Sequence, residues 1–372
     1  MESKALIERL QDKSLTRREF KQILASAGVG LLTLPVLRRP ARAAGEVMYF
    51  GWAGYETPEF HPSYTEKYGG SPEATFWAAE DEGFQKMRQG FTPDVMHPCT
   101  YELVKWREAG LIAPLDPDRL EWLPDMFEGL TDIEGSLHDG KRYYMPMDWG
   151  NSTVLYRKDL VAPEHAGDNL SWAIIFEDWY SGRIASYDST ANVQIAGLLA
   201  GVDDIFAMNE EQLTEIRPLL EMQRQNLRFY WGDVSEIDQA LASGELVAAY
   251  GWNDSYVRLR DQGVDIELGV PKEGIFTWCC GLTIHPETKN LDASYDLINA
   301  MTSPEAGAYE IESWGFGHAN KKAFDLVPED VLVALGLSTP EALLNNGIYF
   351  AAMQANVEES YIRLFDEVKA GF

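Results

Sequence analysis

The chain has 372 residues, room for about two domains at ~150 residues each. Hydrophobic residues make up 45% and charged residues 24%, which excludes a disordered or fibrous chain. A formal net charge of −28 opposes binding to nucleic-acid phosphates or to anionic lipid. Most of these carboxylates read as a solvated acidic shell, and a few as attraction for a cationic solute.

The first element is an export signal. Residues 14–20 read S-L-T-R-R-E-F, a twin-arginine pattern with Arg17-Arg18 two residues before Phe20. The uncharged stretch from Ile23 to Leu37 is too short for a membrane span, which needs about 20 residues. Arg38, Arg39 and Arg42 follow, and Ala41-Arg42-Ala43 supplies small residues for cleavage near Ala43-Ala44. Residues 1–44 are therefore expected to be removed on export to the periplasm.

The body alternates strand and helix. Residues 47–52 (V-M-Y-F-G-W) are nearly all apolar, as in a strand buried on both faces. A helix is predicted over Pro62 to Tyr68, with Pro at its first position. A strand follows over Ala74 to Ala79, a helix over Gly83 to Gln89, a strand over Asp94 to His97 and a helix over Tyr101 to Ala109. This order implies a parallel sheet with crossover helices, whose ligands bind at the carboxyl ends of the strands. Trp52, Ala79 and Cys99 fall at such ends. Tyr143 to Tyr156 reads as extended, and a second set follows: a strand at Arg183 to Tyr187, a helical region at Glu210 to Leu227, strands at Leu246 to Trp252 and Asp265 to Val270, and helices from Ala293 and Ser303. Pro218 is predicted to kink or split its helix.

The three cysteines, Cys99 and the adjacent Cys279-Cys280, make no metal-binding or disulfide framework. They read as small buried residues with free thiols. There is no H-E-x-x-H, G-x-S-x-G, P-loop or G-x-G-x-x-G, and the six histidines are scattered. No cofactor, no metal and no enzymatic activity are expected. An exported enzyme with an unrecognised site is the rival of another class.

Aromatic residues beside glycine or small residues recur at predicted strand ends: G-W-A-G-Y (51–55), M-D-W-G-N (147–151), Y-G-W-N-D-S (250–255), I-F-T-W-C-C-G (275–281) and W-G-F-G (314–317). Aromatic faces hold cations, each contact worth roughly 0.5–2 kcal/mol. They also stack on sugars, which is the competing reading of the same pattern.

With these segments, D-V-M-H-P-C-T-Y (94–101), G-R-I-A-S-Y-D (182–188), V-P-K-E-G-I-F (270–276) and the closing V-K-A-G, the sequence resembles the bacterial periplasmic spermidine/putrescine-binding proteins. These are the solute receptors of polyamine ABC transporters. The resemblance implies an α/β fold of two lobes, each a mainly parallel sheet flanked by helices, closing over a ligand by hinge motion. The lobes would hold 46–148 plus 280–317 and 149–279 plus 318–372. Crossovers would lie near Asp148–Tyr156, Thr277–Ile284 and Phe316–Lys322. It implies a monomer that works with permease and ATPase subunits. Trp52 and Tyr55 match aromatic wall positions, Tyr101 a cleft tyrosine, and Trp252 and Trp278 the indoles that sandwich the ligand's methylene chain. Phe316 stands where the family has a tyrosine, and Cys99 replaces a small hydroxyl residue. Trp149 would complete the aromatic box. Ser189, Asn192 and Cys280 occupy positions where the family carries acids, and Ala351 aligns with a family glutamine. Asp148, Asp188 and Asp254 are the candidate replacement carboxylates. The ligand implied is a small organic cation: an amine, a methylated or quaternary ammonium, or a zwitterion.

Overall fold

The computed structural model describes residues 47–371, Ala78 excepted. The export signal read over residues 1–44 lies outside the described residues. Strands β1 (Met48–Gly51), β2 (Glu73–Phe76) and β3 (Val95–Met96) are parallel, with β1 in the middle. Helices Pro62–Tyr68 and Glu80–Arg88 make the crossovers between them. The second of these starts at Glu80, three residues before the predicted Gly83, and its first turn is acidic, as the positive helix end favours. A small hairpin, β4 (Leu137–His138) with β5 (Lys141–Arg142), precedes the long strand β6 (Met145–Arg157).

The second set comprises β7 (Ile184–Tyr187), β8 (Leu227–Trp231), β9 (Ala248–Trp252) and β10 (Ile266–Leu268). Strand β7 lies parallel to β8 and β9, and β6 pairs antiparallel with β9 and β10. Strand β11 (Phe276–Ile284) joins the two sets: its first part pairs with β6 and its last residues, Thr283 and Ile284, pair with β3. The short strands β12 (Gly317–His318) and β13 (Ile348–Tyr349) add to β6 and β11. The hydrogen-bonded ladder therefore runs unbroken from β2 to β8, because β11 is long enough to serve both sets.

The two lobes are distinguished by their cores. One packs Tyr49, Phe50, Trp77, Trp106, Leu282 and Leu297. The other packs Val154, Trp172, Ile195, Trp231, Phe276 and Phe365. The third passage differs from the predicted boundaries. Ala319, Phe324, Leu332 and Leu344 remain with the first core, and the chain returns to the second at Ile348, Phe350 and Met353 and in the closing helix Ala355–Ala370. The turn after β12 explains this. Asn320 donates to Thr302 O at 3.0 Å, and Phe127 N donates to Ala319 O at 2.9 Å, which holds the chain on the first lobe.

Helix Glu210–Asn226 continues through Pro218 and is not split there. A reciprocal cap between Asn209 and Gln212 fixes its start, and Leu213, Ile216 and Leu220 bury one face. Those gains outweigh the one helical hydrogen bond that proline removes.

Candidate functional site: two indoles on the shared strand

Strand β6 is buried from Met145 to Tyr156, and its side chains alternate between two faces. Asp148, Gly150 and Ser152 share one face, and Trp149 and Asn151 the other. Residues directly opposite on a neighbouring strand share a face. On one side of β6, Trp278 pairs with Gly150 and Cys280 with Asp148. On the other, Trp252 pairs with Ser152. The two half-buried indoles therefore stand on the same face of the sheet, on either side of β6.

Each indole is held. Trp252 donates its N–H to Ser152 Oγ at 3.0 Å and meets Tyr187 and Trp231 edge-on, at 5.2 and 5.0 Å between ring centres. Trp278 lies across Gly150, where a Cβ would overlap its ring. It meets Phe316 edge-on at 4.8 Å. Trp52 is half-buried against Trp77. The Tyr101 ring lies 6.0 Å from Phe350, beside a depression lined by Tyr101, Ile133, Glu134, Phe350 and Ala351.

Several predicted site residues are committed elsewhere. Trp149 is on the opposite face, fully buried, with its N–H donated to His318 O at 3.2 Å. Asp148 is on the cleft face but buried. It accepts from His97 Nε2 at 2.8 Å and from the Tyr55 hydroxyl. Tyr55 also lies 3.1 Å from Glu310 Oε1. Burial and the nearby Asp148 push the Glu310 carboxyl well above the usual range, and the Tyr55 hydroxyl stands between the two carboxyls. Tyr55 and Asp148 thus brace the floor under the indoles. Asp188 is exposed and pairs with Lys369 at 2.7 Å, and Asp254 pairs with Arg258 at 2.7 Å. Ser189 Oγ accepts from Ala191 N at 3.0 Å. Asn192 is buried and bonded to Ser186, Gln223 and the Tyr187 carbonyl.

The cysteines also differ from expectation. Cys99 and Cys280 are joined in a disulfide, with Cys280 opposite Asp148 on β6, and only Cys279 is free. The end of β3 brings Cys99 opposite Cys280 as an isolated antiparallel pair, and this proximity permits the bridge. Cys279, on the other face, is buried and lies 3.2 Å from the Tyr144 hydroxyl; burial pushes its thiol up to about 12.

Two further candidates do not stand out in the sequence. Tyr187 ends β7 beside Trp252. Glu80 follows the strand end at Ala79 and is only 7% exposed. Its Oε1 accepts the Cys99 N–H at 2.5 Å, and the Tyr101 hydroxyl sits beside it. The predicted strand end at Ala79 was the available signal, but the acid next to it was hidden among 59 Asp and Glu.

Residues 84–334 match the model of the bacterial extracellular solute-binding proteins. The chain belongs to that family. Its members are solute-binding proteins rather than enzymes. A putrescine/agmatine-binding protein of Pseudomonas aeruginosa is 25% identical over 355 residues, covering 88% of this chain and 93% of that protein. A spermidine/putrescine-binding periplasmic protein of Escherichia coli is 23% identical, covering 92% and 97%. A solved structure of a putative spermidine/putrescine ABC transporter protein from Listeria monocytogenes superposes with a TM-score of 0.76 at 24% identity, over 87% of this chain and 98% of that one. The fold is that of the two-lobe periplasmic binding proteins. Among the described residues, no helix is long and apolar enough to cross a membrane.

Proposed function

We propose that this solute-binding protein is an exported receptor that captures a small organic cation between its lobes and delivers it to an ABC permease and ATPase. The observation that carries this is the placement of Trp252 and Trp278 on one face of β6, with Tyr187 against the first and Phe316 against the second. Aromatic faces attract a cation through their quadrupoles and cover a methylene chain through apolar burial. Strands β6 and β11 are the passages about which the lobes would close over the ligand. Export would follow the twin-arginine signal at Arg17-Arg18.

Calorimetric titration of the mature protein and of Trp252→Ala with putrescine, agmatine, spermidine and tetramethylammonium tests the reading. At least one cation should bind the wild type. Loss of one indole should weaken that binding about 5-fold or more, equivalent to ~1 kcal/mol. Equal binding by a folded Trp252→Ala protein refutes the aromatic reading. Replacing Arg17 and Arg18 by Lys should block export of the full chain in a strain that has the twin-arginine machinery. Unchanged export refutes that part.

A further inference from the structure

We propose that Glu80 is the carboxylate that receives the ligand's charged nitrogen, and that this nitrogen carries N–H donors. The inference rests on the cation reading above and names the group that sets its specificity. Glu80 is nearly buried, and among the described residues it makes no ion pair. Lys105, which pairs with the adjacent Asp81 at 2.6 Å, is also engaged by Glu102 at 3.3 Å. A buried carboxyl without a counter-charge is costly unless it stays protonated or a cation arrives.

A second observation lies on the other lobe. Gln194 is 4% exposed, and its Oε1 has no hydrogen-bond partner among the described residues. Its Nε2 donates to Met353 Sδ at 3.7 Å, three residues beyond Phe350, whose ring packs on Tyr101. Tyr101 in turn lies beside Glu80. Each lobe thus offers an oxygen acceptor, and the Tyr101–Phe350 pair links the two. A ligand with N–H donors can offer one to each acceptor, whereas a fully methylated ligand has no donor for Gln194.

The surroundings add a proton signature. Glu102 and Asp81 on its own lobe repel charge on Glu80, and Tyr101, Tyr144 and the facing Tyr187 are uncharged at neutral pH. Burial first, and Glu102 second, push the Glu80 carboxyl up to about 8. The protein without ligand therefore holds a proton there at pH 7. An arriving ammonium ionises the carboxyl, and the proton leaves to solvent.

Calorimetry with putrescine, agmatine and spermidine, in buffers of different ionisation enthalpy, tests this on the wild type and on Glu80→Gln. The bis-trimethylammonium analogue of putrescine is the fourth probe. The wild type should bind a primary amine with release of up to one proton at pH 7, and with less release as pH rises beyond about 8. Glu80→Gln should weaken binding tenfold or more and abolish the release. The fully methylated analogue should bind the wild type less tightly than the amine. If Glu80→Gln does not fold, the proton count on the wild type decides alone. Amine binding without proton release, or with equal affinity in a folded variant, overturns the role of Glu80 and leaves the cation reading standing. Preference for the methylated analogue overturns the N–H requirement. A wild type that binds none of these cations overturns both.

Discussion

The Trp278 indole occupies the space beside Gly150 that a side chain at that position would fill. The position of this indole thus depends on the absence of one carbon. Gly150→Ala should push the indole out of place, destabilise the fold by about 1–3 kcal/mol through overpacking and weaken ligand binding. Denaturant midpoints and tryptophan emission, measured on the same samples, check this. Unchanged emission and affinity would show that Trp278 does not depend on Gly150.

Tyr55 separates Asp148 from Glu310 and bonds to both. Tyr55→Phe should cost about 1–3 kcal/mol, because two buried carboxyls lose their shared partner. The floor residue is read here as a brace and not as a ligand contact. The variant should therefore lose stability and retain the order in which it prefers different cations. Chemical denaturation and a competition titration separate the two effects.

His318 is buried in neutral form. Its Nε2 donates to Met301 O at 3.2 Å and its Nδ1 accepts from Asn320 N at 3.1 Å. Burial holds it down at about 4, below the ordinary value of 6.5. Its contribution is therefore complete above pH 6.5 and is lost as pH falls towards 4, by roughly 3 kcal/mol at full extent. Unfolding midpoints between pH 7 and 4 should fall more steeply for the wild type than for His318→Gln. Parallel profiles would contradict the assignment.

The Cys99–Cys280 bridge closes a loop of sequence separation 181. Reduction should lower stability by about 2–5 kcal/mol. Thiol titration of unfolded, unreduced protein should find one free thiol, Cys279. Three would mean that the bridge does not form.

Much of this was legible in the sequence. The apolar run of β1 and the long extended stretch around Trp149 sit where the sequence put them, and Trp52 and Trp252 stand at strand ends; Trp149 and Trp278 lie inside β6 and β11 instead, and Trp314 closes a helix. The face of each aromatic was less evident. Period 2 along M-D-W-G-N already separates Trp149 from Gly150, but only the register of β9 and β11 shows which face carries the two indoles. The carboxylates were least legible. Asp188 and Asp254 find Lys369 and Arg258, partners 181 and 4 residues away, and only the first is beyond the reach of local pattern. Glu80 stood where strand ends bind ligands, yet it resembled any acid at a helix start. The disulfide joins residues far apart in sequence, and no spacing rule predicts it.

The most direct test of the account is the stability of the mature protein with and without cations. Putrescine, agmatine, spermidine, choline, glucose and succinate would each be added in a thermal-shift series. A ligand at about 100 times its Kd adds about 2.7 kcal/mol to the folded state. An organic cation should raise the melting temperature, and the sugar and the dicarboxylate should not. Stabilisation by glucose or succinate with no response to any cation would contradict the claim that this cleft holds a positive charge.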